Sequence, residues 1–130
     1  MIDHITLRVR DLPRTREFYR QALAPLGYRV AYEAVHEGTG VLGFGAEMPG
    51  VGFKIDTWFV TTEPASGPSH LCWRAGSRVE VDAFYAAALS AGGTDNGKPG
   101  VRAHYHSNYY GAFVLDPDGN NVEAVCHAPE

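Results

Sequence analysis

An α+β fold built from two βαβββ modules is what the 130-residue sequence predicts, and three observations lead there. The first is an internal repeat: displaced by 66 residues without a gap, Ser69 to Gly93 lies over Asp3 to Gly27. Identities fall at His4/His70, Arg8/Arg74, Phe18/Phe84, Tyr19/Tyr85, Ala22/Ala88, Leu23/Leu89 and Gly27/Gly93, and self-similarity of this kind sets an architecture before any single element does. Second, each copy opens on alternating apolar and polar residues and then turns to four-residue spacing, a strand followed by a helix. Third, three strand-like segments follow each helix.

Residues 3–10 alternate, with Ile5, Leu7 and Val9 on one face and His4, Thr6 and Arg8 on the other, which is the pattern of a half-buried strand. Asp11 is placed to cap the next helix, with Pro13 in its first turn. The helix body runs to about Leu26, its apolar stripe made by Phe18, Ala22 and Leu26 with Tyr19 and Leu23 alongside, and Gly27 ends it. Strands are predicted at 28–35, 40–46 and 52–60, broken by Glu37-Gly38 and Pro49-Gly50, and Thr61 to Pro68 reads as a linker. In the second copy Leu71, Trp73 and Ala75 alternate with His70, Cys72 and Arg74 before the helix, and strands are predicted at 101–105, 109–115 and 120–127. Asp116-Pro117-Asp118-Gly119 suits a type I turn joining the last two. On the final strand Asn121, Glu123, Val125 and His127 share one face and Val122, Ala124 and Cys126 the other. The predicted organisation is therefore one domain, 1–130, with modules at 1–62 and 68–130.

At 45% hydrophobic and 20% charged residues the chain has an ordinary globular composition. Its net charge of −4 and lack of a basic run argue against nucleic acid as a partner. No apolar run approaches a membrane span and the N-terminus lacks a signal-peptide core, so no membrane role is expected. Cys72 and Cys126 belong to no CxxC motif, and two reduced thiols in the cytoplasm is the expectation.

Glu123 is the residue that demands an explanation. A carboxylate in the middle of a strand is costly to bury unpaired, so it needs a cation, a hydrogen-bonded network or water. The repeat supplies candidates. His4 and His70 hold the same strand position in each half, and a 67-residue displacement sets Gly52 on Gly119 and Asp56 on Glu123. Two halves packed about a pseudo-twofold axis would bring two imidazoles and one or two carboxylates to one cleft. Such a set suits a divalent first-row metal with positions left for water and substrate. His4, His70 and Glu123 are the expected ligands, with Asp56 a shorter fourth.

With paired βαβββ modules, a histidine on each first strand and DPDGNNVEAV near the end, nearly the whole chain resembles the vicinal oxygen chelate superfamily. That superfamily takes in glyoxalase I, fosfomycin-resistance thiol transferases, extradiol dioxygenases and bleomycin-resistance proteins. The resemblance implies a curved, barrel-like mixed sheet with the helices outside, and a metal held by His4, His70 and Glu123. Asp56 falls where glyoxalase I places a glutamate, a departure that bears on that reaction. The implied activity is that of a metal-dependent glyoxalase-like lyase, isomerase or transferase. It would chelate neighbouring oxygens of a small substrate on Ni, Co, Fe, Mn, Mg or Zn, with Glu123 as the base. A homodimer is implied as well. The alternatives are a metal-free binding protein of the bleomycin-resistance type and an extradiol-type dioxygenase.

Four more residues are candidates for substrate contact. Arg102, Tyr105 and Tyr110 belong to a run dense in hydroxyls and imidazoles just before the closing hairpin, and Trp58 stands beside Asp56. Arg8 and Arg74, on the histidine face, are expected to pair with carboxylates.

Overall fold

The computed structural model describes residues 2–129. Its elements run β1 (Ile5–Val9), α1 (Leu12–Ala22), a 3-10 turn (Ala24–Leu26), β2 (Arg29–His36), β3 (Thr39–Met48), β4 (Gly52–Thr61), β5 (His70–Arg74), α2 (Arg78–Ser90), β6 (Thr94–Val101), β7 (Tyr110–Leu115) and β8 (Asn121–Cys126). Two βαβββ units are thus present, in an α+β fold.

Each unit makes its own four-stranded mixed sheet, ordered β1-β4-β3-β2 and β5-β8-β7-β6. The parallel pairs are β1 with β4 and β5 with β8. The two sheets do not close into a barrel. Both first strands end a sheet, and the outer edge of β1 is taken by the linker: Ser66 N–H donates to Arg8 O at 3.0 Å, and Arg8 N–H donates to the Ser66 hydroxyl Oγ at 3.0 Å. On β5, Ser69 O and Ala75 N bond to β8, so the alternate backbone groups, those of His70, Cys72 and Arg74, turn to the open edge.

Local chemistry explains the helices. Asp11 accepts from Arg14 N at 3.0 Å as the N-cap of α1. Pro25 has no N–H to continue an α-helix, so α1 stops at Ala22 and the 3-10 turn carries the chain to Gly27, whose φ of 80° is left-handed. Ser77 caps α2 by accepting from Glu80 N, and Glu80 returns its carboxylate to Gly76 N at 2.7 Å.

The repeated apolar residues meet in one core. Phe18 and Ala22 of α1 and Phe84 and Ala88 of α2 are all buried. Tyr19 lies 4.5 Å from the Phe59 ring and 6.0 Å from Trp73, and its hydroxyl donates to the buried Asp116 at 2.6 Å. A helix residue of the first unit thereby grips the closing turn of the second. Asp116 also accepts from Asp118 N, Asn120 N and Asn120 Nδ2, and Gly119 N–H closes the turn on Asp116 O at 3.0 Å. Gly93 sits where a Cβ would meet Val114 at 2.4 Å and Phe18 at 2.9 Å, so the two halves approach through its missing side chain.

One expected strand is misplaced. Instead of 101–105, β6 occupies Thr94–Val101, and 102–109 is a loop pinned by Arg102 N to Tyr109 O and Tyr109 N to His106 O. The stretch Asn96-Gly97-Lys98-Pro99-Gly100 carries turn residues, yet an edge strand tolerates proline and bulges. Its pairing with β7 shifts register twice.

Candidate functional site

Glu123 is 2% exposed, and both its oxygens are engaged. Tyr109 Oη donates to Oε1 at 2.5 Å, and His70 Nε2 stands 3.1 Å from Oε2. The other ring nitrogen of His70, Nδ1, lies 3.1 Å from the Asn121 carbonyl. A proton on Nδ1 satisfies that carbonyl and leaves the Nε2 lone pair beside the carboxylate, the arrangement by which a backbone carbonyl orients a histidine that binds a metal. Two donors on one ion at about 2.1 Å each stand roughly 3.0–3.4 Å apart, so the His70–Glu123 separation fits half of a ligand set.

The neighbours of Glu123 follow from strand pairing. Phe113 lies opposite it on β7 and Cys72 opposite it on β5. Phe113 stacks on His70, with ring centroids 6.3 Å apart, and the Arg102 guanidinium sits 5.5 Å over Phe113. Local desolvation, followed by the negative charge of Glu123, pushes the Cys72 thiol up to about 12, so it stays protonated. Burial, then the bond to Glu123, raises the Tyr109 phenol, which therefore remains a donor.

The other half of the expected set has different partners. His4 Nδ1 lies 2.8 Å from Asp3, and its side chain is 56% exposed. Asp3 in turn pairs with Lys54; the bond to His4, then that to Lys54, lowers its carboxyl. Asp56 accepts from Tyr28 Oη at 2.9 Å and from Thr57 Oγ1 at 2.9 Å. Burial, followed by the bond to Asp56, raises the Tyr28 phenol.

His4, Tyr28, Asp56, His70, Cys72 and Arg74 line one cleft of about 420 Å³ that runs between the first strands of the two sheets. Among the described residues, no three His, Cys, Asp or Glu side chains come together closely enough to hold an ion. What the chain assembles directly is the His70–Glu123 pair, with His4 and Asp56 along the same cleft.

Strand register corrects the expected match of Asp56 with Glu123. Thr6, the counterpart of Cys72, pairs with Trp58, whereas Cys72 pairs with Glu123. Trp58 therefore holds the ladder position of Glu123 and Asp56 that of Asn121, a displacement of 65 residues and not 67. Trp58 packs on Tyr32 with ring centroids 5.5 Å apart, over Gly43, where a Cβ would stand 2.8 Å from its ring.

The remaining candidates divide. Tyr110 faces α2, donating to Asp82 at 2.8 Å beneath the Arg78 guanidinium. Tyr105 is 59% exposed and leans on Tyr109, ring centroids 4.9 Å apart. Arg102 Nη2 donates to Lys98 O at 2.7 Å. Among the described residues, neither Arg8 nor Arg74 forms the ion pair with a carboxylate that was expected of it. Tyr109 and Tyr28 were not among the candidates. Strand alternation held the signal for Tyr109: it shares a face with Gly111 and Phe113, the residues that back Val125 and Glu123.

The family model for the Glyoxalase/Bleomycin resistance protein/Dioxygenase superfamily matches residues 1–124. The chain belongs to this superfamily. No curated protein matches. Among solved structures, a glyoxalase/bleomycin resistance protein from Albidiferax ferrireducens is 27% identical, with a TM-score of 0.73 and coverage of 97% of this chain and 98% of that one. A putative glyoxalase from Bacillus halodurans is 23% identical, with a TM-score of 0.65 over 97% of this chain and 95% of the other. Glyoxalase I from Zea mays is 18% identical with a TM-score of 0.72, and the match takes 99% of this chain but 45% of the maize chain. The last two likenesses speak for the superfamily fold alone.

Proposed function

We propose that this superfamily member is a metal-dependent glyoxalase-like enzyme acting on a small substrate through neighbouring oxygens. His70 and Glu123 would hold the divalent ion (Ni, Co, Fe, Mn, Mg or Zn), with His4 and Asp56 as further donors from the opposite wall of the cleft. The observation that carries the reading is the His70 ring, fixed through Nδ1 on the Asn121 carbonyl with Nε2 at 3.1 Å from Glu123. When bound, such an ion polarises a substrate carbonyl and acidifies the adjacent C–H.

The chain's own groups supply the rest. Glu123 would serve as the base through Oε2, the oxygen beside His70 Nε2, while Tyr109 occupies Oε1. Phe113 and His70 form a stacked wall against which a flat substrate can lie. Arg74, on the cleft and without a carboxylate partner among the described residues, is available to an anionic substituent. Cys72, held as the thiol, is a contact and not a nucleophile. A cytoplasmic homodimer of the single-domain chain completes the reading, and the two free cysteines agree with the compartment.

The second reading is a metal-free binder of small molecules in the same cleft. It is favoured by the absence of a three-donor group among the described residues. Metal analysis separates the two. Protein purified without a histidine tag should carry about one divalent ion per site, and His70→Ala should carry little. Equal, negligible content in both samples would leave the binder standing.

A further inference from the structure

The geometry points to Tyr109 as the residue that positions Glu123, reserving one carboxylate oxygen so that only Oε2, on the His70 side, is offered to an ion or a proton. The inference rests on the metal-centred reading above. A glutamate side chain ends in a soft, two-fold torsion, so a carboxylate free at both oxygens can rotate and bind an ion through both. Tyr109 removes that freedom with a 2.5 Å bond to Oε1, in the short range of charge-assisted O–H···O⁻ contacts.

The tyrosine is itself held from several directions. Its ring meets those of His106 and His127 edge-on, at centroid distances of 5.4 and 5.2 Å. The two imidazoles are locked to each other: Asn108 N–H donates to His106 Nδ1 at 3.1 Å, so a neutral His106 carries its proton on Nε2 and donates it to His127 Nδ1 at 2.8 Å. The Tyr109 backbone closes the loop, its carbonyl accepting from Arg102 N and its N–H donating to His106 O. At the other end Gly111 leaves the space the contact needs, since a Cβ there would stand 3.0 Å from Glu123 Oε1 and 3.2 Å from Tyr109 Cε1. Two imidazoles, the backbone bonds of the loop and a glycine thus converge on the placement of one phenol oxygen.

Cobalt(II) titration followed by visible absorption tests this without a substrate. Wild type and a Tyr32→Phe control should bind alike. Tyr109→Phe should bind about 10-fold or more weakly, as happens when a hydrogen bond that orients a metal ligand is lost, with an altered band shape as Glu123 turns. Unchanged affinity and band shape in a folded Tyr109→Phe would overturn the inference while leaving the metal reading intact. Should that variant fail to fold, Gly111→Ala crowds the same contact with the phenol kept, and wild-type cobalt binding there would overturn it equally. A wild type that takes up no cobalt defeats the metal reading itself, and the inference with it.

Discussion

Glu123 illustrates how far a single residue can be read. Its place amid a small, apolar strand announced that it needed a partner, and the partners are His70 and Tyr109. His70 was legible because the repeat displays it twice. Tyr109 was not, because three tyrosines stand within six residues and only the parity of β7 decides which of them faces Glu123. Cys72 carries a prediction at this scale. With the thiol pushed up to about 12, roughly one molecule in ten thousand is thiolate at pH 8. Iodoacetamide should therefore alkylate Cys72 far more slowly than a free cysteine, and Glu123→Gln, which removes the charge, should speed it. Labelling at the free-cysteine rate would show that the thiol is not raised, and an unchanged rate in Glu123→Gln would show that the carboxylate adds nothing to the desolvation.

Among the elements, helices were legible and one strand was not. The start of α1 was marked by Asp11 and Pro13, α2 was marked by the repeat of the first helix's four-residue spacing, and α1 stops where Pro25 breaks the hydrogen-bond ladder. The cap of α2 can be tested by Ser77→Ala, which strips Glu80 N–H of its acceptor and should lower stability by about 1 kcal/mol. A fall of a few degrees in Tm by circular dichroism is expected; an unchanged Tm would mean water replaces the hydroxyl at no cost. β6 escaped the sequence reading because its residues have turn propensities, and the pairing with β7 that makes them a strand is non-local. The same holds for register. A displacement of 67 residues aligned Asp56 with Glu123 in sequence, whereas the ladder hydrogen bonds of β4 and β8 set the displacement at 65.

For the whole molecule, the question is whether two modules behave as one body. Tyr19 of α1 reaches Trp73 and Asp116 of the second module, and Gly93 lets Phe18 close on Val114. Cooperative unfolding follows. Urea melts followed by tryptophan fluorescence, which reports Trp58 in one module and Trp73 in the other, should coincide with melts followed by circular dichroism. Two resolved transitions would show modules that fold separately.

The sequence by itself determined the duplication, the order of strand and helix, the apolar faces that form the core and the need of Glu123 for a partner. These rest on local periodicity and on the cost of burying an isolated charge, both of which a linear chain displays. Only the tertiary structure decided that the sheets stay separate, that Ser66 rather than β5 takes the edge of β1, that Asp56 is held by Tyr28, and that Tyr109 is the phenol on Glu123. Those outcomes depend on which distant groups meet, and hydrogen-bond partners between strands are chosen by packing in three dimensions.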